Sequence, residues 1–261
     1  MNFSLENIPN RTEKPRNKGL TMVMDKGMST RQVEDMLEVG GSYIDIVKLG
    51  FGTSFVSNNL EEKLRLYKEK GIGVYFGGTL FEAFIIRNQF EDYKRLIDKY
   101  NLDYVEVSDG CMDMDHNQKC AYISELSKKA IVLSEVGSKD ASVELPAYKW
   151  IDMMEKELEA GSWRLIAEAR EGGNVGIFRG GGEIRSDLID EILTKIPSEK
   201  IMWEAPQKSQ QVWFIKLLGP NVNLGNIAPH EVIPLETLRL GLRGDTFHEF
   251  LNIDQEALAK M

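Results

Sequence analysis

The chain has 261 residues, 32 basic and 41 acidic, for a net charge of −9, with 42% hydrophobic and 28% charged residues. That balance excludes a disordered chain and leaves a nucleic-acid backbone no basic footprint to bind. Two cysteines, Cys111 and Cys120, give no disulfide framework. No run of about 18 apolar residues offers a membrane span, and MNFSLENIPNRTEKPRNKG lacks an apolar signal segment. The expectation is a soluble cytoplasmic protein with no nucleic-acid or membrane partner.

Residues 1–19, rich in Lys, Arg, Asn and Pro, read either as an N-terminal arm lying on the bottom of the barrel or on a neighbouring subunit, or as a frayed tail. From residue 20 onward, short β-rich runs alternate with amphipathic helical patterns. LTMVMDKG (20–27) is the first predicted strand and TRQVEDMLEVG (30–40) the first helix. YIDIVKLG (43–50), LEEKLRLYKEKG (60–71), GVYFGGT (73–79) and YVEVSDG (104–110) follow. IVLSEVG (131–137) leads to PAYKWIDMMEKELEAG (146–161), which opens on proline and closes on glycine as helices tend to. LIAEARE (165–171), DLIDEILTKI (187–196), IMWEAPQ (201–207) and NVNLGN (221–226) complete eight strand–helix units.

No linker divides these units. Eight of them over 20–250, with a C-terminal tail at 251–261, predict a single-domain α/β fold, the TIM (β/α)8 barrel. An open doubly wound sheet shares the alternation, since periodicity alone does not show closure.

In such a barrel alternate strand residues point inward, and the functional face lies at the strands' C-terminal ends. Glu106, Glu135, Glu168 and Glu204 all fall near the ends of apolar runs, as do Lys48 and, just beyond, Lys139 and Arg170; Asp25 ends the first strand. Five carboxylates at one mouth must take up protons or share a cation, because burying unpaired charge is costly. Oxygen ligands without nearby His or Cys select Mg²⁺ over Zn²⁺. Glu–Lys and Glu–Arg pairs across strand ends can also be plain buried ion pairs, but four in similar register point to an active site.

Glycine-rich turns fit the same face: FGTS (51–54), FGGT (76–79) with Gly78, FRGGGEIR (178–185) and LGN (224–226). The loops after strands seven and eight commonly hold phosphate in these barrels, which makes Gly225 and Asn226 phosphate candidates, with Lys208 if its strand reaches that far. CMDMDHNQKC gathers Cys111, Asp113, Asp115, His116 and Cys120, but its spacing matches no zinc pattern, and Asp115 or Asn117 serves as a helix cap. His116, His230 and His248 read as loop or surface residues.

KPR (14–16), DKG (25–27), VKLGFGTS (47–54), FGGTLFE (76–82), VEVSDG (105–110), SEVGSKD (134–140), EARE (168–171), WEAP (203–206) and NLGNI, followed by PLETLRLGLRGDT (234–246), together resemble the phosphosulfolactate synthase (ComA) family along nearly the whole chain. The chain reads WEAP where FEAP is common and GSK where a more basic GKK is expected. The resemblance implies a homo-oligomeric TIM-barrel lyase that adds sulfite to phosphoenolpyruvate with Mg²⁺, serving coenzyme M biosynthesis in methanogens. On that reading Lys139 is the proton donor with Lys48 as its rival, and Arg170 suits a phosphate or sulfite oxygen. The carboxylates compete for the metal. Two alternatives stay open: a non-catalytic heat-stress-associated interaction protein on the same barrel, and a related enol-phosphate enzyme with another nucleophile.

Overall fold

The computed structural model describes residues 2–137, 145–169 and 172–251. Its first half runs β1 (Thr21–Asp25), α1 (Thr30–Gly40), β2 (Ile46–Leu49), α2 (Thr53–Val56), α3 (Leu60–Glu69), β3 (Gly73–Phe76), α4 (Gly78–Ile85), α5 (Phe90–Tyr100) and β4 (Tyr104–Val107). The second half runs α6 (His116–Leu126), β5 (Ile131–Val136), α7 (Ala147–Glu159), β6 (Arg164–Ala167), α8 (Ser186–Leu193), β7 (Ile201–Glu204), α9 (Lys208–Leu218), β8 (Leu224–Ile227) and α10 (Val232–Arg239). Strand order is β3-β2-β1-β8-β7-β6-β5-β4, and the ladders are parallel. This is the barrel, not the open doubly wound sheet.

The seam between β3 and β4 completes the nearly closed barrel by side-chain contact. At the bottom, Gly73 lies so close to the Tyr104 ring that a Cβ on it would sit 2.3 Å from that ring. At the top, the Gly78 N–H donates to Glu106 Oε1 at 2.7 Å.

Strand parity sorts the side chains. Met22, Ile46, Tyr75, Leu133, Ile166 and Met202 fill the barrel interior, with Tyr104 and Trp163 packed against them. The opposite strand faces bury Val23, Val47, Val74, Val105 and Val132 against the first helices, and Leu165, Trp203 and Leu224 against the later ones. Both faces of each strand are therefore buried, as a parallel sheet under helices requires.

Asp25 follows Val23 by two residues and faces the helices, which corrects the expectation that it joins the mouth. Its Oδ2 lies 2.6 Å from Lys63 Nζ and accepts the Tyr67 hydroxyl at 2.9 Å. Its Oδ1 accepts the N–H groups of Gly27 and Met28, each at 2.8 Å. The carboxylate thus ties the β1 turn to α3 with every oxygen occupied.

The N-terminal arm crosses the barrel bottom of its own chain. Arg11 pairs with Glu236 at 2.9 Å, Arg16 with Asp45 at 2.8 Å, and Lys14 donates to the Gly41 carbonyl at 3.0 Å. Most of the C-terminal tail, from residue 252 on, lies outside the described residues. Among the described residues no helix is long and apolar enough to cross a membrane.

Because Lys63 is 1% exposed, Asp25→Ala should leave a buried ammonium without its carboxylate and cost about 3 to 5 kcal/mol. Urea unfolding will read this as a lowered midpoint with unchanged slope. A midpoint equal to that of the unaltered protein would show that Asp25 is not the structural anchor described here.

Candidate active site

Each inward charge lies two residues beyond an apolar interior residue: Lys48 after Ile46, Glu106 after Tyr104, Glu135 after Leu133, Glu168 after Ile166, and Glu204 after Met202. The period of two that fills the floor with hydrocarbon therefore crowns it with charge. Lys48 Nζ lies 3.0 Å from Glu106 Oε2, 3.5 Å from Glu204 Oε1 and 3.7 Å from Glu135 Oε2. These side chains and Glu168 line one cavity of about 520 Å³, walled also by Gly77, Gly78, Gly172, Asn174 and Asn226. The four glutamates are each no more than 3% exposed and Lys48 is 6% exposed.

So much buried charge shifts the titrations. Burial alone would push the Lys48 ammonium down, but Glu106, Glu204, Glu135 and Glu168 overcome it and hold the group well above its ordinary value. Glu204 is pushed up to about 7, chiefly by burial and also by Glu135 and Glu106, against the opposing pull of Lys48 and of the Ala169 N–H. That N–H donates to Glu204 Oε2 at 3.0 Å. Tyr75, under the cage, is held protonated by burial and by the same carboxylates.

The phosphate candidates divide. Asn226 enters the cavity because β8 carries an extra residue there: Thr21 pairs with Leu224 but Val23 pairs with Ile227. In that bulge Asn226 takes φ 55°, and its buried Oδ1 accepts no hydrogen bond among the described residues. Such bulges re-aim side chains next to active sites. Gly225 instead packs in the barrel interior, where a Cβ would lie 2.7 Å from Met22 and 3.1 Å from Met202. It makes room for methionines, a correction to its expected place in a phosphate loop. Lys208 is also corrected: β7 stops at Glu204, and Lys208 opens α9, 2.7 Å from Asp245 and outside the cavity lining. Gly78 lines the cavity, but its N–H is spent on Glu106. Lys139 and Arg170 lie outside the described residues.

The groups behind this wall leave no signal in the sequence. Lys119, fully buried on α6, lies 2.9 Å from both Asp109 and Glu157 and donates to the backbone carbonyl of Glu135. Burial opposes its charge, but Glu157 and Asp109 prevail and hold it above its ordinary value. Glu82 on α4 accepts from the Ser108 hydroxyl and the Cys111 N–H. Asp115 caps α6 by accepting from Asn117 and Gln118, in keeping with its cap reading. No local pattern announces the Lys119–Glu157 pair, whose members sit on different helices.

An all-oxygen donor set suits Mg²⁺. Among the described residues no three such groups converge to hold an ion by themselves. This still fits Mg²⁺, which commonly takes one or two carboxylates and completes its shell with water and substrate oxygens.

Fold and mouth together give an α/β barrel with a buried, charged cavity at the C-terminal ends of its strands, where barrels of this kind carry their sites. Residues 9–245 match the model of the family described as (2R)-phospho-3-sulfolactate synthase (ComA), and the chain belongs to that family. It is similar to the phosphosulfolactate synthase of Bacillus subtilis, 42% identical over 248 residues, covering 94% of this chain and 98% of that one. The phosphosulfolactate synthase of Methanocaldococcus jannaschii is 43% identical over 236 residues, covering 88% and 94%. The barrel also resembles 3-hexulose-6-phosphate synthase from Salmonella typhimurium, with a TM-score of 0.55 at 15% identity, over 86% of this chain and all of that one. At that identity only the fold is shared.

The raised Glu204 makes a pH prediction. Its folded value of about 7 exceeds the ordinary 4.5, so the folded state holds the proton more tightly. The resulting stability is fully present below about pH 4.5 and is lost as pH rises through about 7. In chelator, Glu204→Gln should remove this loss. The variant's stability relative to the unaltered protein should then rise by on the order of 2 kcal/mol between pH 5 and pH 7.5. A difference in unfolding free energy that stays constant across that range would contradict the assignment.

Proposed function

We propose that this chain adds sulfite to phosphoenolpyruvate with Mg²⁺ as cofactor, giving (2R)-2-O-phospho-3-sulfolactate. The observation that carries the reading is a buried mouth in which Lys48 sits among four glutamates, in a chain whose relatives over nearly its whole length are named phosphosulfolactate synthases. An interaction protein using only the barrel's surface has no need of these buried charges.

In the proposed reaction a sulfite lone pair forms the C–S bond at C3, the π pair moves toward C2 and the carboxylate, and a proton is delivered to C2. Glu135 and Glu168 would hold Mg²⁺, which when bound supplies positive charge to the substrate carboxylate as electrons accumulate there. Lys48 keeps its proton too firmly to be an efficient donor, since a general acid works best with a pKa near the operating pH. It acts as a fixed positive charge that orients an anionic substrate among carboxylates. Proton delivery is assigned to Lys139, and Arg170 is assigned to an oxygen of phosphate or sulfite, for which its forked donors are suited. Asn226, with its re-aimed amide, is assigned to the phosphate.

Phosphoenolpyruvate consumption should require both sulfite and Mg²⁺. Consumption that is absent, or independent of sulfite, would overturn the proposal. Lys139→Met should lower turnover by roughly 10² to 10⁴-fold with a far smaller change in substrate binding. Lys48→Met should raise KM as well as lower kcat. Near-normal turnover in Lys139→Met, with collapse in Lys48→Met, would move proton delivery to β2.

A further inference from the structure

Two glutamines at the start of α9 have no part in the chemistry above. Gln210 is 1% exposed. Its amide oxygen accepts the Gln207 N–H at 3.1 Å, while its amide nitrogen donates to the Gly173 carbonyl at 2.9 Å. Beside it, Gln207 Nε2 donates to the Gly172 carbonyl at 2.6 Å. The fit is close: Gly173 has φ 61°, and a Cβ there would stand 2.2 Å from Gln210 Nε2.

These carbonyls belong to the loop that leaves the mouth carboxylate Glu168. Gly172 and Asn174 line the cavity. The same loop turns back on the strand end, with the Asn174 N–H donating to the Ala169 carbonyl at 3.2 Å and the Ile177 N–H to the Glu168 carbonyl at 3.1 Å. Ala169 in turn is held by Glu204. The β7 side of the barrel thus grips this loop at three backbone points, two of them through glutamine amides.

We propose that Gln210 is a positioning residue for the mouth: it holds the loop after β6 so that Glu168 and Asn174 face the reacting centre. The role demands a donor and an acceptor on one planar head, which an amide supplies and a carboxylate does not. Its kinetic consequence rests on the proposed sulfite addition, whereas its structural consequence does not.

Gln210→Glu tests it in the full chain. A glutamate at this third helical position keeps the acceptor for the Gln207 N–H and suits the helix N-terminus, so α9 survives while the donor to Gly173 is lost. Amide hydrogen exchange at Asn174 and Ile177 should quicken by roughly tenfold or more, with Phe214 and Ile215 on α9 unchanged. Turnover of phosphoenolpyruvate with sulfite and Mg²⁺ should fall by roughly ten- to a hundredfold in kcat, with a smaller change in KM, the pattern of a misplaced group at the reacting centre. Gln210→Ala, which loses donor and acceptor together, should show the same exchange pattern along with a lower Tm. Unchanged exchange at Asn174 and Ile177 would overturn the inference, as would faster exchange with unaltered kcat and KM. If the unaltered protein does not turn over these substrates, the proposed function fails, and the exchange comparison alone then decides whether Gln210 holds the loop.

Discussion

An ammonium buried among carboxylates is the constraint on which this mouth depends. Lys48 reaches within 3.0 to 3.7 Å of Glu106, Glu204 and Glu135, and Glu168 adds its field. One buried charge of either sign, alone, would be expelled or neutralised. Together they are tolerated, but four acids against one base leave the described part of the mouth acidic. Glu204 relieves part of that excess by holding a proton toward neutral pH. An anionic substrate entering such a site needs further positive charge, which is why a hard cation and basic loop residues belong in the functional reading.

The rest of the fold holds this cage still. Below it, Met22, Tyr75, Leu133, Ile166 and Met202 close the barrel with hydrocarbon, which excludes water and strengthens each electrostatic contact above. Behind it, two further buried lysines work outside the barrel wall. Lys63 fastens Asp25 and the end of β1 to α3. Lys119 joins Asp109, Glu157 and the carbonyl of Glu135, so the strand that carries one cage carboxylate is also braced from the helical layer. The charged residues therefore form an inner working set and an outer structural set, separated by one step of strand parity.

That parity is legible in the sequence, and it bears on Asp25 as much as on the glutamates. Alternation placed the four glutamates and Lys48 on one face because each continues an apolar interior series by two residues. The same rule applied to TMVMD puts Met22 and Met24 inside, hence Asp25 outside. Asn226 is the reverse case: the bulge between Leu224 and Ile227 breaks the alternation, so a side chain that simple parity would send outward turns into the mouth. Gly225 read as a loop glycine because its interior role depends on two methionines from other strands. Nothing in EAPQK marks that β7 ends at Glu204, so the sequence does not distinguish a strand-end Lys208 from the helix-opening residue it is. Lys119 with Glu157, and Gln210 with Gly173, are contacts between distant segments and leave no local periodic trace.

The central claim is that four glutamates hold Lys48 as a permanent cation at the mouth. Nitrogen-detected NMR of the lysine Nζ groups, with Lys48 assigned by its loss in Lys48→Met, follows that proton directly through an alkaline titration of the metal-free protein. Lys48 should remain protonated beyond the pH at which exposed lysines titrate, about 10.4. Loss of that proton at or below this pH would show that desolvation outweighs the cage and leaves the mouth without a fixed positive charge.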